Sequence, residues 1–458
     1  MTSAASPNHQ INKLPDHQII RSRAPQWAIA TALGVSLFAV YSLNGREIGA
    51  GDTIPGLLLP VAILRGDGLA LDRFDHLWPR GDLPYFIARK RGHTVSRYPL
   101  GPSLLAVPLT APQLAVLDRL HPGWEADPGA LHWVRLIGKT SAAVLGALTG
   151  VAIYFMLCAL GLGSAALLAA LIAALGSNLW VTASQSLWQH GPAALALAAA
   201  LALLLPQPRG RARLLLAGGA CAALVWSRPS AALFGALIFA WVVYRHRTGA
   251  GWFLPLPLLL GVLLLLHNLW YFGAVTGGYG ELLQMGAGAH GVTGFWAANI
   301  AESALGTLIS PSHGLFVFTP WIPLTLAALP AFVSRVRRAP LTCTVLWGLP
   351  LFFAQLALQS TWWAGWSFGP RYWTEVMPLF AILLGFALDW SRARCRPLFA
   401  GLLVSGAMAV CVQAIGAFCY PSSFNAVPGD IDRQHERLWS WRDSEITRCL
   451  HEGAHGWE

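Results

Sequence analysis

Charge is what this sequence has least of: Asp, Glu, Lys and Arg make up 11% of its 458 residues, against about 25% in a soluble globular domain. So few charges cannot cover a water-facing surface, which excludes an ordinary soluble fold. Cysteine is sparse as well. The seven cysteines, at 158, 221, 343, 395, 411, 419 and 449, have no CxxC or other metal-ligand spacing, which excludes a zinc module. Most sit in apolar segments and read as small core residues. Cys419 and Cys449 lie near the C-terminal tail. A disulfide is conceivable there, but the simpler reading is two free thiols. No P-loop, HExxH, GxSxG or dinucleotide fingerprint occurs. The net charge of +10 raises nucleic acid as a partner. No dense basic run, zinc finger or helix-turn-helix accompanies it, so nucleic acid is set aside. Nor does a small-residue cleavage site follow the first apolar run, and 27–43 reads as a retained span rather than a signal peptide.

What is abundant is apolar sequence: 55% of the residues are hydrophobic, and they come in long blocks. A bilayer core takes about 20 apolar residues per helix. The span must be helical, because lipid satisfies no backbone polar group. Eleven blocks qualify, at 27–43, 133–158, 164–182, 191–206, 213–227, 230–244, 252–271, 314–333, 341–358, 373–389 and 398–419. The expected fold class is all-α, a polytopic transmembrane helix bundle. Short cytoplasmic loops collect Lys and Arg. With the N-terminus inside, the segments 1–26, 207–212, 245–251, 334–340 and 390–397 and their boundaries hold fourteen basic residues against two acidic ones, Asp16 and Asp389. The other seventeen basic residues face nineteen acidic ones. The whole basic excess thus lies on one side, which puts the N-terminus in the cytoplasm and the C-terminus outside. The stretch 99–116 is apolar enough for a twelfth span, but a crossing there would invert every later loop. Pro99, Pro102, Pro108 and Pro112 also argue against a straight helix. It reads as re-entrant or interfacial, and Leu57 to Leu64 as a similar surface helix. The chain divides into a cytoplasmic tail, 1–26, a transmembrane domain, 27–419, with an external loop at 44–132, and an external tail, 420–458.

Polar residues beside spans are costly and ask for a reason. Here they gather at the outer span ends. The first external loop opens Asn44-Gly45-Arg46-Glu47-Ile48-Gly49-Ala50-Gly51-Asp52. Glu47 and Asp52 are five apart, which does not align them on a helix. The glycines suggest a bend that brings both toward one pocket, as a general base and its partner; a solvated juxtamembrane loop is the plainer reading. Arg97-Tyr98 opens the re-entrant stretch, as a lipid-phosphate contact or as simple interfacial anchors. His190, in Trp188-Gln189-His190-Gly191-Pro192, suits a phosphate or sugar hydroxyl, or a self-bonded turn. Arg228 at a helix junction suits an anion. His313 lies in the polar turn Ser310-Pro311-Ser312-His313. Trp362, Trp363 and Trp366 form either a membrane belt or a sugar platform. Arg371 is a phosphate ligand, or pairs with Glu375 one turn below.

These motifs resemble the GT-C superfamily of membrane glycosyltransferases, especially bacterial relatives of the protein O-mannosyltransferases and the lipid A aminoarabinose transferase. The resemblance covers most of 27–420. It rests on the Glu47/Asp52 loop, Ser96-Arg97-Tyr98-Pro99, Trp188-Gln189-His190-Gly191-Pro192 and Gly369-Pro370-Arg371-Tyr372. The chain departs from O-mannosyltransferases in lacking adjacent Asp-Glu in the first loop, and it lacks a large folded domain after the last span. The resemblance implies a polyprenyl-phosphate-linked sugar as donor, a glycan, lipid or protein acceptor, and an active site facing the periplasm of a bacterial inner membrane. It implies Asp52 as base with Glu47 as its partner. It implies substrate contacts from Arg46, Arg97, Tyr98, His190, Arg228, His313, Trp363 and Arg371, with a divalent cation as an optional cofactor. The competing readings are a transporter or flippase of lipid-linked glycans and an O-antigen ligase or polymerase. A transporter places its binding groups near the bilayer midplane, whereas here they cluster at one face.

Overall fold

Apolar runs of this length must close their own backbone hydrogen bonds, and in a computed structural model of the protein they do so as helices. The structure describes residues 23–78, 83–206, 210–289, 296–329, 332–333 and 339–453. Most of the 1–26 tail lies outside the described residues, as do Lys13, Arg21, Arg209, Arg335, Arg337 and Arg338 of the orienting basic set. In chain order come α1 (Arg23–Ser42), α2 (Ile54–Leu64), the strands β1 (Ile87–Lys90) and β2 (His93–Ser96), α3 (Gly101–Leu120), α4 (Ala130–Ala159), α5 (Ser164–Leu175), α6 (His190–Leu204), α7 (Arg211–Ser227) and α8 (Ala232–His246). They are followed by α9 (Pro255–Phe272), α10 (Gly277–Ala289), α11 (Ile300–Ile309), α12 (Leu315–Phe318), α13 (Trp321–Thr325), α14 (Pro340–Leu346), α15 (Gly348–Ala357), α16 (Met377–Arg394), α17 (Arg396–Cys419) and α18 (Glu445–Glu452).

Five stretches are long and apolar enough to cross a bilayer: 130–159, 255–272, 340–357, 371–394 and 396–419. The other expected spans are shorter or broken. The 164–182 span stops at α5 and resumes as a π turn, Leu179–Ala183. The 314–333 span divides into α12 and α13, with Pro320 and Pro323 at the break, where the missing N–H groups interrupt the ladder. Helix α9 has no buried residue, and Leu258, Leu259, Val262 and Leu266 are all exposed. An apolar face of that extent needs hydrocarbon beside it. The packed interior lies around α4, α5, α6, α7 and α16. Alanine lines much of it, at 143, 147, 166, 169, 170, 173, 193, 194, 196, 198 and 200, so the helices pack closely in the way of membrane interfaces.

The stretch after α1 is not a plain loop. Helices α2 and α3, a short 3-10 turn at Asp72–Leu77 and the β1–β2 hairpin fold onto the end of the bundle. The hairpin pairs Ile87 with Ser96 and Lys90 with His93. Ion pairs tie the parts around it: Arg65, just after α2, reaches Asp118 and Glu125, both at 2.5 Å, and Arg73 reaches Asp67 at 2.6 Å. Two expectations are corrected here. Leu57 to Leu64 is no surface helix, because α2 is buried from Ile54 to Ala62 between α3 and α4. From Gly101 the 99–116 stretch runs as one unbroken helix through Pro108 and Pro112, against the expectation that its prolines would bend it; its re-entrant or interfacial placement is a separate matter. Its contacts with α2, α4 and α7 outweigh the lost hydrogen bonds, while Leu104, Val116 and Leu120 stay exposed along its length.

A third correction concerns the tail. Cys419 and Cys449 form a disulfide, so they are not two free thiols. The bond draws α18 back to the end of α17, beside Tyr420 and Phe424. Sequence spacing could not show this approach, which depends on the turn through 420–444.

Helix α3 begins where α7 ends, and the approach is close. A Cβ on Gly101 would lie 2.5 Å from the backbone N of Ser227, an atom that cannot move aside without shifting Arg228. Gly101→Ala should therefore destabilise the protein by about 1–3 kcal/mol through overpacking. A lowered thermal midpoint in detergent checks this, and an unchanged midpoint would show that the junction is looser than drawn.

Candidate active site

The bend after α1 is held from both sides. Asn44 donates to Gln185 Oε1 at 2.7 Å and to the Ala417 carbonyl at 2.8 Å. Arg46 donates to the carbonyls of Cys419 and Tyr420, at 3.3 and 2.5 Å. The Ile48 N–H donates to Gln185 O, and Trp188 Nε1 donates to Ile48 O at 2.9 Å. These bonds fix where the following short helical turn, Gly51–Thr53, presents Asp52.

Asp52 is the meeting point of distant parts of the chain. Its Oδ1 accepts from the Tyr85 hydroxyl at 2.7 Å, and Tyr98 bonds to it as well. Its Oδ2 pairs with Arg371 Nη1 at 2.9 Å. Gly51 makes room for this, since a Cβ there would lie 2.5 Å from the Tyr85 hydroxyl oxygen. Partial burial pushes the Asp52 carboxyl up, but the Arg371 charge and the bonds from Tyr85, Tyr98 and Arg371 outweigh it and leave it below the usual carboxylate range. Asp52 is thus held as the carboxylate.

Arg371 is positioned by a tight loop at 363–371. Its Nη2 donates to the Ala364 carbonyl at 2.5 Å, and its guanidinium lies 4.4 Å over the Trp188 ring, a contact that favours a desolvated cation. Its Nε is buried with no hydrogen-bond partner among the described residues, which leaves one fixed donor to spare. The Arg371–Glu375 pair considered from sequence does not form. Glu375 turns instead to His190 Nδ1 at 2.5 Å and to Arg228 Nε at 3.2 Å. Arg228 also donates to the Tyr279 hydroxyl at 3.0 Å and lies over Tyr372. Two arginines, one histidine and two carboxylates therefore form one continuous patch from four parts of the chain, with both guanidinium groups against aromatic rings.

No family model and no curated protein sequence matches the chain. Among solved structures it is similar to ArnT from Cupriavidus metallidurans bound to undecaprenyl phosphate. The two share 16% identity at a TM-score of 0.49, over 88% of this chain and 68% of that one.

The remaining candidate residues fall into separate places. Arg97 is engaged by Glu281 at 3.0 Å and by the carbonyls of Tyr85 and Ile87, so it braces the hairpin that carries Tyr85. Glu47 does not join Asp52. It meets Thr53 at 3.5 Å and lies 4.0 Å from Arg135, and burial raises its carboxyl above the usual value. The glycine-rich bend gives the two carboxylates different partners. His313 faces the Gly369 carbonyl at 3.1 Å and Glu445 at 3.8 Å. Trp363 donates to Asp432 at 2.7 Å and is buried, so its ring face is not an open platform. Among the described residues no three His, Cys, Asp or Glu side chains gather as a metal set.

Sequence reading missed Tyr85 and Tyr279, gave Tyr372 no role of its own, and missed the role of Glu375. It also missed the tail: Glu445 accepts the Gly369 N–H at 2.8 Å, directly beside the loop that aims Arg371. Burial pushes the Glu445 carboxyl up to about 8, against the opposing bonds from Gly369 and Asn425. A carboxyl raised on folding stabilises most below its unfolded value, about 4.3, and that stability is lost as pH rises through the folded value. The thermal midpoint should therefore decline between about pH 4.3 and 8, and Glu445→Gln should flatten that decline. A decline of equal size in the variant would assign it to another group.

Proposed function

We propose that the protein is a membrane glycosyltransferase that moves a sugar from a polyprenyl-phosphate-linked donor to an acceptor hydroxyl, on the non-cytoplasmic face. The observation that carries this reading is the Asp52–Arg371 pair at 2.9 Å, set beside Arg228 at one end of the bundle. A base and an anion clamp are the two halves the reaction needs, and they occur side by side. The GT-C resemblance of the surrounding motifs and the one-sided sorting of basic residues support the same reading.

The chemistry follows from the groups present. The acceptor hydroxyl attacks the anomeric carbon as its proton passes to Asp52. The bond from that carbon to the phosphate oxygen breaks, and the electron pair leaves on the lipid phosphate. The carbon passes through an oxocarbenium-like state, as in glycoside chemistry. Arg371 and Arg228 stabilise the charge that develops on the leaving phosphate. When the donor phosphate draws Arg371 toward itself, Asp52 loses the partner that holds its carboxyl low. Its basicity rises when the acceptor proton must be taken. Glu375 and His190 position Arg228, and Tyr85 and Tyr98 position Asp52. The exposed apolar helix faces provide a surface for the polyprenyl tail.

Asp52→Asn should lower turnover roughly 10²–10⁴-fold, the usual worth of a general base, while the protein still inserts and binds donor lipid. Arg371→Ala should weaken donor binding more than acceptor binding. Release of lipid phosphate from a panel of polyprenyl-phosphate sugars measures the first, and donor retention in nanodiscs the second. Wild-type turnover in Asp52→Asn would remove Asp52 from the mechanism.

A further inference from the structure

A second polar cavity lies on the far side of the same bend, and Asp52 is not among its lining residues. It has a volume of about 510 Å³, within the range of about 300–1,000 Å³ typical of small-molecule sites. One wall is a stripe on α4: His132, Arg135, Leu136 and Lys139 are spaced three, four and seven residues from the first, which places them on one helix face. Arg46 and Glu47 from the bend form part of the opposite side, and Phe424 and Glu452 of the tail close it.

Two of the cations on the α4 stripe, Lys139 and Arg135, are poorly matched by acids. Lys139 is 4% exposed, yet its ammonium donates to the neutral Tyr41 carbonyl, at 2.7 Å, and to Gln185 Oε1. No carboxylate pairs with it at ion-pair distance among the described residues. Arg135 is half exposed, and its ion-pair contact is the distant one to Glu47, at 4.0 Å. Burial raises the Glu47 carboxyl, so this acid opposes an incoming anion less than its formal charge suggests. A buried cation without a carboxylate is costly to keep. Bonding to Tyr41 ties down the end of α1, but that does not account for Arg135 and His132 on the same stripe. Leu136 is 47% exposed and makes the α4 side of the cavity apolar, which suits a ligand with both a charged head and a hydrocarbon body.

We infer that this cavity is a second anion site, which takes the phosphate headgroup of an amphiphile from the bilayer leaflet at this end of the bundle. Phosphate fits better than a carboxylate because its oxygens can engage the ammonium, the guanidinium and the imidazole together. The inference goes beyond the transfer reaction and is measured without a sugar donor.

The test is native mass spectrometry of the full chain released from phosphatidylcholine nanodiscs with and without phosphatidic acid. Wild-type protein should retain phosphatidic acid. Arg135→Gln should lose roughly tenfold in retention, the worth of one charge-assisted hydrogen bond, and His132→Gln should lose less. Arg371→Gln should retain it as wild type does. Equal retention by wild type and Arg135→Gln would overturn the site. Loss in Arg371→Gln alone would place the phosphate beside Asp52 instead. Inorganic phosphate serves as the competing source: if it shifts the thermal midpoint in an Arg135-dependent way while phosphatidic acid is not retained, the headgroup assignment fails.

Discussion

The ion pair between Asp52 and Arg371 joins residues 319 positions apart, and the arrangement at this end of the bundle depends on it. Neither partner sits where water could solvate it freely. Arg371 has 8% of its side chain exposed and Asp52 has 20%. Removing one partner of such a pair strands the other, at a cost of about 3–5 kcal/mol when the pair is fully buried; the remaining exposure of Asp52 reduces that. The pair is therefore weak as a stabilising device but demanding as a geometric one. It requires the bend after α1, the hairpin that presents Tyr85, the turn before α6 that presents Trp188, and the loop before α16 to arrive at one point.

Much of the surrounding structure makes sense as support for that point. Arg97 holds the hairpin instead of reaching toward the pair. Glu375 serves Arg228 and His190 and leaves Arg371 to Asp52. The disulfide closes the tail onto the end of α17, and from there Glu445 grips the Gly369 N–H two residues before Arg371. A segment that reads as a hydrophilic tail thus constrains an arginine in the membrane domain. The tryptophans of the 361–372 loop are likewise structural: Trp363 and Trp366 donate to Asp432 and Asp430 of the tail, which fastens loop and tail together.

The same bend separates two environments. On one side a carboxylate is held ionised by an arginine. On the other a carboxyl is shifted toward its neutral form near Lys139, whose ammonium bonds to neutral oxygens. One short run, from Asn44 to Thr53, therefore supplies an acid to each of two unlike sites. Glycine at 49 and 51 permits this, because side chains there would occupy the space of Glu47 and Tyr85.

By itself the sequence determined the class of the molecule: scarce charge and long apolar blocks leave helices in lipid as the physical option. It also marked most residues of the Asp52 cluster, because polar groups beside apolar spans are costly enough to stand out. Lys139, a buried cation within a span, carried the same signal without drawing a role from sequence. Only the tertiary structure decided who pairs with whom. Asp52 found Arg371 and not Glu47; Glu375 found His190 and Arg228 and not Arg371; Cys419 found Cys449. The reason is that an ion pair or a disulfide is set by distances of a few ångströms between elements far apart in the chain, and residue spacing constrains those distances only within one helix or strand.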